Sequence, residues 1–193
     1  MIAGQDDFGG VAAASGQFET SKQDATELVR ALSDEQLNWR PGPGRWSIGE
    51  CLMHLAISTN AALPAIDRAI AHAQQRAWPA AGPYHYGWFT RWMVQSMEPP
   101  PRRRMGTFRI FTPPSTPVQR DQVLRALTES RGHLLERTRA ADGVNLKRAI
   151  VVSPVSRLVR MPLGGHFAFL AAHDRRHLWQ ARQVRQASGF GQR

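Results

Sequence analysis

The chain has 193 residues and a single cysteine, Cys51. That leaves no internal disulfide framework and agrees with a reducing compartment. Lysine is almost missing as well: of 25 basic residues only Lys22 and Lys147 are lysines. No apolar run reaches the roughly 18–20 residues needed to cross a bilayer, so a membrane span is not expected. Met1 to Phe18 carries Asp6 and Asp7 and no basic cluster ahead of an apolar stretch. This is not the pattern of a secretory leader, and a cytoplasmic location is the expectation. Self-similarity at a period of 20–50 residues is also lacking, which argues against a solenoid.

What is present is ordinary for a globular chain: 42% hydrophobic and 21% charged residues, enough for one domain with a substantial core. The formal charge of +10 is carried almost wholly by arginine. These arginines are scattered apart from Arg102, Arg103 and Arg104, and no DNA-reading module accompanies them. A solvated basic surface is therefore the reading, and nucleic acid is not the expected partner.

The apolar positions recur at helical spacing. Phe18, Ala25, Leu28, Val29 and Leu32 share one face of a first helix. Ser33-Asp34-Glu35-Gln36 is a capping pattern opening a short turn, and Arg40-Pro41-Gly42-Pro43-Gly44 is a loop. Ser47-Ile48-Gly49-Glu50 is a second capping box, from which Cys51, Leu52, His54, Leu55, Ser58, Ala62 and Ile66 run down another helix. Pro64 is expected to kink or interrupt it. Residues 78–116 hold seven prolines and read as a long crossover, with room for a short helix from Trp88 to Met97. Thr116-Pro117-Val118-Gln119 reads as the cap of the next helix, which ends near Asp142-Gly143. After an irregular stretch from Val144 to Leu163, a last helix starts near Gly164. The predicted fold is all-α, a four-helix bundle with a long crossover connection. The expected organisation is a flexible segment over 1–16, the bundle domain over 17–187 and a tail over 188–193.

The sharpest chemical signal is His173-Asp174-Arg175-Arg176-His177. Residues four apart on a helix leave the same face one turn apart, so both imidazoles can chelate one ion. Leu170, Leu178 and Ala181 put the pair on or beside the buried stripe, where unpartnered imidazoles are costly and coordination would satisfy them. His54 lies between Leu52 and Leu55. On its own it reads more readily as a hydrogen-bonded core residue than as a ligand.

The segment from Asn38 to Leu55 contains Trp46-Ser47, six residues, then His54-Leu55. It resembles the start of the second helix of the DinB-like superfamily, whose members show a Trp-Ser-x-x-x-x-x-x-His-Leu pattern there. Ala172-His173-Asp174-Arg175-Arg176-His177-Leu178-Trp179-Gln180 resembles the same family's last helix. The resemblance spans roughly Phe18 to Gln186 and implies a metal triad of His54, His173 and His177. It also implies a homodimer. Three histidines leave coordination positions open for water or substrate, unlike closed structural sites. Zinc is the first choice for one divalent transition metal, with nickel, iron and manganese compatible with imidazole ligands.

Around the triad, Cys51 is a candidate fourth ligand, although packing suits a buried free cysteine better. Glu50 and Asp174 are candidates to orient a ligand imidazole, with cap or surface charge as the plainer readings. Trp46 and Trp179 could wall a pocket or simply pack the core, and His166 could approach its mouth. His72, His85 and His133 have no partner at useful spacing. The family resemblance implies either transfer or isomerisation with a low-molecular-weight thiol, which is slightly favoured, or hydrolysis by a metal-activated water. A metal-stabilised stress-response binding module without turnover is the third reading. The expected partner is a small-molecule substrate, whose specificity would lie in the crossover.

Overall fold

The computed structural model describes Phe8, residues 10–102 and residues 106–191. In chain order the helices are α1 (Val11–Arg30), α2 (Asp34–Asn38), α3 (Ile48–Gln75), α4 (Trp88–Met97), α5 (Arg120–Ala140) and α6 (Leu163–Arg185). A single 3-10 turn, Arg109–Phe111, lies in the crossover. Strands β1 (Ile150–Val152) and β2 (Arg160–Pro162) form an antiparallel hairpin before α6.

The four long helices make the bundle. Both α1 and α3 pack against α5 and against α6. The pair α1 and α3 therefore occupies one diagonal, and α5 and α6 the other. The smaller pieces are laid on this body: α4 packs on α6, the 3-10 turn on α3, and the hairpin on both α3 and α6. No described helix is long and apolar enough to cross a membrane.

A buried polar layer divides the core. Each long helix contributes one residue to it: Ser21 from α1, Thr59 from α3, Arg131 from α5 and Asp174 from α6. Arg131, 1% exposed, donates from Nη2 to Asp174 Oδ1 at 2.7 Å and from Nη1 to Thr59 Oγ1 at 2.6 Å. On one side lies an apolar cluster around Phe18, Ile66, Leu134 and Phe167. On the other lies a second cluster around Val29, Leu52, Val123 and Leu178.

Local signals set most helix ends. Ser33 and Ser47 both form complete capping boxes, with Gln36 and Glu50 reaching back to the cap amides. The start of α5 departs from expectation. Thr116 does not cap it, and the helix opens at Arg120 behind an extended Gln119. The reason is tertiary. The Asn38 side chain clamps Val118, donating to its carbonyl and accepting from its amide, each at 2.8 Å. The buried Val118 side chain sits against Gly49, where an added Cβ would meet Val118 Cγ2 at 2.7 Å. The orphan amide of Arg120 donates instead to Asp34 Oδ1 at 2.8 Å, a cap borrowed from α2.

Three further expectations are corrected. Of the two expectations for Pro64, a kink or an interruption, the interruption does not occur: α3 runs unbroken for 28 residues. Pro64 and Asn60, whose carbonyl loses its partner, are both exposed, so water can take the freed group. The first helix begins at Val11 and buries Ala14, so Val11–Gly16 belongs to α1 rather than to a flexible segment. Residues 1–7 and 9 lie outside the described residues, as do 103–105 and 192–193. The stretch read as irregular before α6 contains the hairpin, in which Val151 and Met161 pair and are both buried.

Candidate metal centre

His54 lies in the second turn of α3, whose start is held by the Ser47 cap. His173 and His177 lie one turn apart on the adjacent helix α6. Packing of α3 against α6 brings the three rings together, with centroid separations of 5.0 Å for His54–His173, 4.5 Å for His54–His177 and 4.6 Å for His173–His177. One ring nitrogen from each lies within 4.8 Å of the others, the placement needed to hold one metal ion.

The donor chemistry fits an ion. His54 Nδ1 lies 2.7 Å from the Phe111 carbonyl oxygen, so Nδ1 carries the proton and donates it. Nε2 is then left as a lone pair, the arrangement an outer partner typically imposes on a metal-ligating histidine. His54 Nε2 is 3.1 Å from His173 Nε2. Two nitrogens about 2.0–2.1 Å from one zinc ion would be separated by about 2.9–3.4 Å, depending on the angle between them. His177 Nδ1 is buried with no hydrogen-bond partner, the kind of orphan a coordinate bond would satisfy.

Electrostatics favour the ligand form. Burial lowers the His54 pKa, partly offset by the Phe111 carbonyl. Burial also holds His173 well below the usual imidazole value, assisted by His177, His54, Arg131 and Arg176. His177 is pushed down to about 3, by burial first and then by His54 and Arg176, against a hydrogen bond to the Gln180 side chain that favours the charged ring. All three rings are therefore neutral near pH 7, as metal binding requires.

The triad forms the floor of a cavity of about 910 Å³. Trp46 walls it, with its ring centroid 4.9 Å from that of His54 and 5.8 Å from that of His177. Trp179 and His166 also line it. His166 reaches the site through Phe169, which stacks on both His166 and His173 at 6.2 Å. Its Nε2 is buried without a partner, and burial pushes its pKa down to about 4.

The other candidates point elsewhere. Cys51 is fully buried in the apolar cluster below the site, and burial raises its thiol far above the ordinary value. It belongs to the cluster of Val29, Leu52 and Leu178, and its sulfur is not among the ligand atoms that lie within 4.8 Å of one another. Glu50 closes the capping box with Ser47 and takes a bidentate pair from Arg40, at 2.8 and 2.6 Å. Asp174 turns to Arg131 across the core rather than to a ligand ring. Burial raises its carboxyl pKa, with Arg131 pulling against it. His72 packs edge-on against Trp78.

Sequence reasoning did not single out Phe111, whose contribution is a carbonyl and carries no side-chain signature. Nor did it single out Arg176, Met93 and Met97 in the cavity wall, or Val155 and Val159 from the hairpin loop.

A family model of the DinB superfamily matches residues 17–181, most of the chain and all three histidines. The chain belongs to the DinB superfamily. Among solved structures, this DinB-superfamily chain is similar to YfiT from Bacillus subtilis, described as a probable metal-dependent hydrolase with an unusual four-helix bundle topology. The two share 16% identity with a TM-score of 0.60, over 94% of this chain and 89% of YfiT. At that identity the likeness establishes the fold. None of the curated proteins compared with the chain matches it.

Proposed function

We propose that this protein is a divalent-metal-dependent enzyme that transfers a low-molecular-weight thiol to a small-molecule acceptor. The observation that carries the reading is a neutral three-histidine set on the floor of a large cavity whose described lining contains no aspartate or glutamate. When bound, a divalent ion supplies Lewis acidity on its open positions, lowering the pKa of a thiol or water placed there. A thiol so acidified needs no further base, which suits a cavity without a carboxylate. In this reading His54, His173 and His177 hold the ion. Phe111 orients His54, while Trp46 and Phe169 exclude water from the ligand rings. Zinc is the preferred ion, with nickel, iron or manganese as substitutes. A homodimer in the cytoplasm is part of the proposal.

Hydrolysis is the second reading. It is favoured by the description of YfiT and by His166, an imidazole of the cavity outside the triad that burial keeps neutral. A neutral imidazole can accept a proton from an attacking water.

The test is elemental mass spectrometry of the purified protein beside a His173→Ala/His177→Ala variant. About one transition-metal ion per chain is expected in the natural protein and none in the variant. The metal form should then conjugate a thiol to an electrophile faster than it cleaves an ester. The opposite ranking selects hydrolysis, and neither activity selects the binding module. No bound metal after reconstitution with zinc and nickel refutes the proposal.

A further inference from the structure

We infer that the cavity over the triad recognises an organic anion with an apolar body. This rests on the reading of the cavity as the reacting site. Its volume of about 910 Å³ falls within the roughly 300–1,000 Å³ of small-molecule pockets. The walls are largely apolar: Met93 and Met97 come from α4, Phe111 from the crossover, and Phe169 and Leu170 from α6. Such a lining takes a hydrocarbon or aromatic body.

The charges are all of one sign. Arg45, Arg102 and Arg176 line the cavity, and no carboxylate does among its described residues. Arg45 and Arg102 are exposed, and alone they would read as solvated surface. Arg176 is different. It is 9% exposed, lies between the ligands His173 and His177 in sequence, and donates from Nη1 to the Ser96 carbonyl at 3.0 Å. That bond ties its head group to the end of α4, on the cavity wall.

A cleft with low-dielectric walls and charge of one sign concentrates ligands of the opposite sign. Guanidinium groups match the planar oxygens of carboxylates and the oxygens of phosphates, so either head group is served. A cationic ligand would meet three arginines and, among the described lining residues, no carboxylate.

Isothermal titration of the metal-loaded protein with octanoate, octyl phosphate, octanamide and octylammonium tests this, with tryptophan emission reporting occupancy beside Trp46 and Trp179. The better of the two anions should bind at least about tenfold more tightly than octanamide, and octylammonium more weakly still. Whichever anion binds better identifies the head group. In an Arg45→Gln/Arg102→Gln variant, and separately in Arg176→Gln, the preference for the anion should fall to about threefold or less. The exposed pair provides the decisive variant if Arg176→Gln folds poorly. Equal affinity for octanoate, octyl phosphate and octanamide overturns the inference. So does an anion preference that survives the arginine variants, because the metal would then be its source. Metal content measured on the same samples separates the two proposals. An arginine-dependent preference in protein that holds no metal leaves the anion site standing and removes the metal-dependent enzyme.

Discussion

At the scale of single residues, the positions that matter most are polar groups in apolar surroundings. Arg131 is the clearest case, with a side chain 1% exposed and an ion pair to a 3% exposed Asp174. Removing one member of such a pair strands the other as an uncompensated buried charge, whereas removing both leaves a packing problem. Arg131→Met should therefore destabilise the protein by about 3–5 kcal/mol, and Arg131→Met/Asp174→Leu by clearly less. Urea denaturation of the two variants checks this. A single variant as stable as the double would mean that the pair contributes nothing beyond its volume. The same layer bears on the metal centre, because Asp174 sits next to His173 in sequence while its side chain crosses to α5.

At the scale of elements, the site depends on how closely the smaller pieces approach α6. Gly164 and Gly165 open that helix, and a Cβ on either would collide with α4 or the segment just before it. At Gly164 it would lie 2.0 Å from Tyr86 Oη and 3.0 Å from Cζ, and at Gly165 2.3 Å from Thr90 Cγ2. These glycines are needed for space, since neither has a positive φ. Gly164→Ala should lower stability by about 1–3 kcal/mol through overpacking. Adding Tyr86→Phe removes the nearest clashing atom and should restore part of it. Thermal unfolding of the single and double variants is the measurement, and a double no better than the single would place the strain elsewhere. Because α4 carries Met93 and Met97 into the cavity, Gly164→Ala should also weaken ligand binding there.

At the scale of the whole molecule, the buried imidazoles couple stability to pH. His166 is pushed down to about 4 and His177 to about 3, and His54 and His173 are lowered too. An unfolded chain titrates these rings near 6.5. Between about pH 6.5 and 4 the unfolded state therefore binds protons that the folded state refuses, and stability falls as pH falls. The raised carboxyl of Asp174 acts in the opposite direction, one group against four. Urea midpoints of chelator-treated protein should decline steadily from pH 7.5 to 5. The metal-loaded protein should start higher, by about 2.7 kcal/mol at a hundredfold excess over the dissociation constant, and decline more steeply. A flat profile would mean that the rings are accessible to protons in the folded state.

Much of this protein follows from its sequence alone. The helical periodicity, the caps at Ser33 and Ser47 and the shared face of His173 and His177 are local, fixed by residues within about a turn of one another. The family pattern around Trp46, His54 and His177 extended that reading to the triad, and the family model that matches the chain covers residues 17–181. Other features join residues far apart in the chain, where no period or cap can report them. The Phe111 carbonyl is 57 positions from the His54 ring that it orients. Asn38 holds Val118 from 80 positions away and so delays the start of α5 against its own capping signal. Glu50 and Asp174 were plausible neighbours of the metal by sequence, but Arg40 and Arg131 hold them elsewhere. Sequence alone determined the helices and the shared face of His173 and His177, because those depend on local backbone and side-chain chemistry. Tertiary structure alone decided which carbonyl orients His54 and which arginines face the cavity, because those depend on which elements pack side by side.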